Sequence, residues 1–233
     1  PRTTLLAPII APRRMGWPDT WGCTVPNAKN KVKVSPNNPC PFLRALVQQG
    51  LLNNDVAALG DVASAIVKVA KAGEGSPKVP GPAIQAIALI ANGLGPTAIA
   101  RNAVRGVKLN ALRNGPLDKK GVGSRILNAR GAVSPAQLER LTEFASDKVA
   151  TDGTVEPGLD AADLKRMMDA NFARAEGHRR AIDRALMDGE WPILLKVMGK
   201  RGKAGRYLSL ADVRTLFVDR AFPARMMSKL APR

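Results

Sequence analysis

Pro39-Cys40-Pro41-Phe42-Leu43-Arg44-Ala45-Leu46-Val47-Gln48-Gln49-Gly50-Leu51-Leu52 is the stretch from which the rest of the chain is read. Pro41 suits a first helical position, because its missing N–H would have no partner there in any case. The apolar run after it reads as a helix that ends near Gly50. Cys40 then falls at or near the N-cap. Its sulfur is expected to face the open N–H groups of Phe42 and Leu43 and the positive end of the helix dipole. Such a setting favours thiolate over thiol. The plainer reading is a buried cysteine at a helix start with no ligand role.

Outward from this helix the signals stay helical. Leu59, Val62, Ala63, Ile66, Val67 and Ala70 have helical spacing, and Asn53-Asn54-Asp55 offers a cap before them. Ala83 to Ala91 reads as an apolar helix closed by Asn92-Gly93. Ala98 to Arg113 reads as another, broken near Gly106. Ser134-Pro135-Ala136-Gln137 is a helix start with Ser as cap and Pro next, and that helix is expected to reach about Asp147. Asp160-Ala161-Ala162-Asp163 opens the next, through Met167 and Met168. A long helix is expected over Arg174 to Met187, with a restart or kink at Pro192. Ser209-Leu210-Ala211-Asp212 caps a last helix before Pro223. No stretch reads as a strand. The expected fold class is all-α: a multi-helix domain over residues 35–233, preceded by an extended, basic, proline-rich arm over 1–34, with Trp17 and Trp21 as anchors.

Composition agrees with helices. The 233 residues are 45% hydrophobic but only 4% aromatic, so the core rests on Ala, Leu, Val, Ile and Met, which favours helix over sheet. The net charge of +17 calls for an anionic partner: nucleic acid, acidic lipid or an acidic subunit. The cations are spread along the chain. The densest run, Lys196 to Arg206, is interspersed with Gly199, Gly202 and Gly205 and reads as a mobile, solvated loop. Nucleic acid is disfavoured, since basic residues are not interleaved with aromatics and zinc-finger spacing is absent. No apolar run is long enough to span a membrane. The chain opens on Pro1 rather than Met, so an upstream segment, removed or not resolved, is expected.

The stretch Ser35 to Leu52 resembles the opening of the heme-thiolate peroxidases, the chloroperoxidase and peroxygenase family, where Pro-Cys-Pro precedes a helix ending in a hydrophobic-Gly-hydrophobic turn. Asp188-Gly189-Glu190-Trp191-Pro192-Ile193-Leu194-Leu195 is similar to that family's distal helix, and Tyr207 to Phe217 with Ala221-Phe222-Pro223 to its closing helix. Leu159-Asp160-Ala161-Ala162-Asp163-Leu164 fits a helix start upstream of the distal one. Residues 1–34 and about 73–133 stay unmatched.

The resemblance implies heme b held by Cys40 as the axial ligand to iron, with Pro39, Pro41, Phe42 and Leu43 around the cofactor. A thiolate in that position pushes electron density onto the metal and favours O–O cleavage. It implies Glu190 as the acid–base group that moves a proton between the peroxide oxygens, with Trp191, Ile193 and Leu194 as an apolar wall that would raise its pKa. The implied activity is oxidation, oxygenation or halogenation of an apolar organic substrate by peroxide. A Mg or Mn ion near a propionate also belongs to the family pattern, through a Glu-His-Asp or Glu-Gly-Asp motif. Here the nearest stretches, Ala145-Ser146-Asp147 and Ala150-Thr151-Asp152-Gly153-Thr154, lack the leading Glu. Arg or Lys pairing directly with propionates is the expected substitute. The compartment is not legible; the resemblance leans toward a secreted or periplasmic one.

The rival reading is a basic helical subunit that keeps the fold without heme and joins protein partners or another polyanion through its charge and its arm. A Cys23–Cys40 disulfide would support it. Other motifs fail. The acid-rich Asp147 to Asp163 does not match an EF-hand loop and is expected to connect two helices. His178 is the only histidine, no Gly-x-Ser-x-Gly elbow occurs, and Gly93 and Gly95 lack the strand a dinucleotide site needs.

Overall fold

Pro41 does open a helix. In a computed structural model, which describes residues 32–113, 115, 116, 118, 126–175 and 181–230 with the side chains at 182, 183, 186 and 187 excepted, α1 spans Pro41–Gln48 with Cys40 as its N-cap (φ −82°, ψ 116°). Its inner face carries Phe42, Ala45, Leu46 and Val47. Gly50 turns the chain out at φ 68°, a left-handed conformation that costs glycine little. Phe42 meets Phe222 edge-on at 5.1 Å.

Asn53-Asn54-Asp55 does not cap the next helix. The Asn53 side-chain oxygen accepts from the Asp55 N–H at 2.8 Å and that of Asn54 from the Ser35 N–H at 2.9 Å, so both are used in loops. The chain first makes β1 (Val56–Ala57), and α2 (Leu59–Ala72) begins after Ala58. α3 (Gly81–Leu89) and α4 (Pro96–Arg105) follow. Gly106 ends α4 at φ 85°, where a Cβ would lie 2.4 Å from the Ala57 carbonyl oxygen. This close approach is where β2 (Val107–Lys108) pairs antiparallel with β1, in place of the expected continuation of helix to Arg113.

The fold is therefore not all-α. A second antiparallel sheet has the order β3-β4-β6-β5, with β3 Ser146–Val149, β4 Val155–Leu159, β5 Lys200–Gly202 and β6 Gly205–Ser209. The helix from Ser134 is short: α5 (Pro135–Glu139) passes into a 3-10 turn, Arg140–Glu143, and then into β3. The stretch expected to link two helices is a hairpin. Asp152-Gly153 is its turn, with Gly153 at φ 90° and the Asp152 carboxylate accepting from the Thr154 N–H at 2.9 Å. The flanking Val149, Thr151, Thr154 and Val155 are β-branched and suit a pleated surface.

The glycine-rich basic run is likewise a hairpin and not a mobile loop. A Cβ on Gly202 would sit 2.9 Å from the Val149 carbonyl oxygen, so the glycine permits the β5 end to touch β3. There the Lys203 N–H donates to Val149 O at 2.9 Å, and the two edges of the sheet meet. Tyr207-Leu208-Ser209 belongs to β6, so the closing helix starts later, as α8 (Leu210–Arg214), and continues as a π-turn through Asp219.

Four helix starts stand as expected, after Cys40, Ser134, Asp160 and Ser209. Asp160 caps α6 (Ala161–Arg174) in a reciprocal box with Asp163, and Lys148 of β3 bridges both carboxylates at 2.6 and 2.7 Å. α7 (Ala181–Met198) is continuous through Pro192, where a restart or kink was expected, so the helix does not restart there; the proline removes the donor to the Asp188 carbonyl. α9 (Ala224–Leu230) closes the chain. Leu46, Leu164, Met198, Leu208, Phe222 and Met226 are fully buried and join α1, α6 to α9 and the larger sheet in one core. The expected arm up to residue 31, with Trp17, Trp21 and Cys23, lies outside the described residues, as does His178.

Candidate functional site

Cys40 and Glu190, from opposite ends of the sequence, line the same cleft. Pro39 and Pro41 line it beside Cys40. Trp191, Leu194, Phe217, Met167, Leu141 and Phe144 supply apolar wall, and Arg113, Asp118, Gln137, Arg140 and Asn171 supply polar wall. Phe42 and Leu43 do not line it; the Phe42 ring is committed to Phe222.

The floor of the cleft is the start of α1. Cys40 is half-buried, and its N–H donates to the Asn38 side-chain oxygen at 3.2 Å. The sulfur makes no capping hydrogen bond to the first-turn amides, so the expected contact with the Phe42 and Leu43 N–H groups is not formed. Positive charge reaches the sulfur from another source. Arg44 is 3% exposed and donates to the carbonyls of Ser35, Asn38 and Gly131 at 2.9, 3.2 and 3.1 Å, which clamps the loop leading into Cys40. Burial, with the nearby charges of Arg220 and Arg113, lowers its pKa to about 10, and the interaction with Cys40 opposes them. Cys40 thus lies within the electrostatic reach of the buried Arg44 guanidinium.

The facing wall is α7. Glu190 lies in the body of this helix, not at its N-terminus. Its neighbour Trp191 is 6% exposed and stacks on Phe217 with ring centres 6.2 Å apart. This stack fixes the rotation of α7, and so the side of the helix on which Glu190 emerges. A third wall is polar. The Arg113 guanidinium pairs with Asp118 at 3.2 Å, both nearly fully buried, and donates to the Asn128 carbonyl at 2.8 Å. The Arg174 guanidinium donates to the Gln137 side-chain oxygen at 2.8 Å. The buried Nε atoms of Arg113 and Arg140 have no hydrogen-bond partner among the described residues.

Arg44, Arg113 and Arg140 were not among the residues singled out by sequence. Arg44 alone carried a signal: an arginine inside an otherwise apolar helix face must be buried with partners. Neither stretch considered for a cation, Ala145 to Asp147 or Ala150 to Thr154, lines the cleft. No group of three or more His, Cys, Asp and Glu side chains stands ready for a metal ion among the described residues. No described helix is long and apolar enough to cross a membrane.

The cleft brings together one cysteine at a helix start, one carboxylate, apolar side chains and two arginines. The space is narrow. The cavity measures about 80 Å³, whereas pockets that enclose drug-sized ligands hold roughly 300–1,000 Å³, so a porphyrin enters only if the walls separate. No protein-family model matches the chain, and no curated protein or solved structure gives a significant match.

Proposed function

We propose that this cleft is a heme-thiolate site of the peroxidase or peroxygenase kind, with Cys40 as the iron ligand and Glu190 as the acid–base group. The observation that carries the reading is the convergence of these two residues on one cleft.

In this reading each residue has a task its surroundings support. Arg44 locks the loop from Ser35 to Cys40 through three carbonyls and lends positive charge to the sulfur. The Trp191–Phe217 stack holds Glu190 toward the cleft, where its carboxylate takes a proton from one peroxide oxygen and returns it to the other. Arg113 and Arg140 supply the charge for ring carboxylates that a divalent ion supplies in the resembled family. Apolar walls from Leu194, Met167 and Phe144 favour an apolar organic substrate and keep bulk water away. When bound, heme supplies the oxidising chemistry toward peroxide.

The direct test is a hemin titration of the purified chain, followed by absorption. Saturation at one heme per chain supports the proposal, and absence of saturable binding overturns it. Metal analysis finding one tightly held Mg or Mn per chain would contradict the role given to the arginines.

The narrowness of the cavity favours a second reading, a heme-free basic subunit that uses the same scaffold to bind partners. A colourless protein that takes up no hemin and elutes with other proteins is the result expected from it.

A further inference from the structure

The segment from Gly75 to Leu117 contains no Asp or Glu. It forms α3, α4 and β2, and within it α3 has an unusual surface. Its sequence, Gly81-Pro82-Ala83-Ile84-Gln85-Ala86-Ile87-Ala88-Leu89, has no charged residue, yet only Ala88 is buried. A helix that is apolar on all sides normally lies buried within a core or spans a membrane, and this one does neither. Here Pro82, Ala83, Ala86 and Ile87 are exposed on one stripe, with Ile87 at 50%. Leu94, just beyond the helix, is 62% exposed, and Val104 on α4 is 85% exposed.

Cations surround this apolar stripe. Lys78 is exposed two residues before the Pro80 cap. Asn92 ties Lys108 to the far end of α3 through hydrogen bonds to its N–H and its carbonyl at 2.8 and 3.0 Å. Asn102 donates to the Leu89 carbonyl at 2.8 Å, which sets the exposed Arg101 and Arg105 of α4 beside it. An apolar stripe with only Gln85 as a polar side chain, flanked by four cations of a segment whose own sequence holds no acid, matches an anionic lipid surface. Apolar side chains enter the acyl boundary while Lys and Arg stay at the headgroups. A second copy of the chain fits poorly, because the same cations would face each other across the contact.

We propose that α3 and its flanking cations form a docking face for anionic lipid bilayers, laid on the surface and not spanning it. The inference is independent of the Cys40 cleft. The test is co-sedimentation of the full chain with vesicles of phosphatidylcholine alone and of phosphatidylcholine with phosphatidylserine. Binding is expected only to the second, and Ile87→Asp with Ala83→Asp, two exposed positions that leave the fold intact by circular dichroism, is expected to lower it at least tenfold. Arg101→Glu with Arg105→Glu is expected to weaken it as well. Absence of binding overturns the proposal. Equal binding by the Ile87→Asp, Ala83→Asp variant also overturns it, since net charge alone then explains the attraction. So does a concentration-dependent dimer that this variant abolishes without any vesicle binding.

Discussion

Two carboxylates in this chain have opposite settings. Glu156 lies on β4 inside the larger sheet, and its oxygens accept from Lys200 at 2.5 Å, Tyr207 at 2.7 Å and Ser209 at 2.8 Å. Glu190 lies on α7 at the wall of a cleft, beside a tryptophan and opposite a cysteine. The first has its acceptor capacity occupied by neighbours that come from β5 and β6, so it joins strands. The second lines the cleft that Cys40 also lines. A carboxylate set among donors from neighbouring strands holds a sheet together, and one at the wall of a cleft belongs to a candidate site.

Breaking the sheet carboxylate has the largest expected effect. Glu156→Ala leaves the Lys200 ammonium and two hydroxyls without their acceptor, and the cost of removing one partner of such a pair is about 3 kcal/mol. Urea denaturation should show it. The same variant should leave the cleft intact, so hemin uptake at low temperature, where the variant remains folded, is expected to match that of the unmodified chain.

Next in size is Arg44→Met, which fills similar volume but strands three carbonyls at the entry to Cys40. It is expected to cost about 2 kcal/mol by denaturation. It should also raise the pH at which the Cys40 thiol reacts with an alkylating reagent, because the nearest buried cation is gone. An unchanged thiol profile would remove Arg44 from the account of the sulfur's environment.

Acid sharpens the comparison. Burial works to raise the Glu156 pKa, but the hydrogen bonds from Lys200, Tyr207 and Ser209 outweigh it and hold the carboxyl below its ordinary value of 4.5. A group depressed in the folded state contributes fully above its unfolded pKa, and the contribution is lost as pH falls through the folded one. Stability is therefore expected to drop with pH below about 4.5, and Glu156→Gln should flatten that limb in pH-dependent thermal melts.

The smallest expected effect on stability belongs to Glu190→Gln, below about 1 kcal/mol. Its effect on function is expected to be the reverse: peroxide-dependent oxidation by the heme-loaded chain should fall by about a hundredfold or more. A variant with full turnover would take Glu190 out of the reaction.

These contrasts also show what could be read in advance. The helix starts at Pro41 and Asp160 were legible because proline and capping carboxylates act within one turn. The convergence of Cys40 and Glu190 came from the resemblance, not from spacing. The sheets were missed for physical reasons. Asp152-Gly153 is a hairpin turn signal, but its acid-rich context equally suits the capped ends of two helices. Gly202 and Gly205 were read as mobility, whereas Gly202 is small so that β5 can touch Val149. Tyr207 has helical neighbours on one side only, and its strand character depends on pairing of β6 with Lys200 of β5 and with Gly158 and Leu159 of β4, the latter far earlier in the chain. Arg44 shows the same limit: its burial depends on the carbonyls of Ser35, Asn38 and Gly131, which local sequence does not bring together.

The central claim is that Cys40 binds iron as a thiolate within this cleft. It is tested most directly by the absorption of the hemin-treated chain after reduction under carbon monoxide, measured beside Cys40→Ala. The account predicts a red-shifted thiolate-type band in the unmodified chain and its loss in the variant. A chain that yields no such band, or one whose band survives in Cys40→Ala, contradicts it.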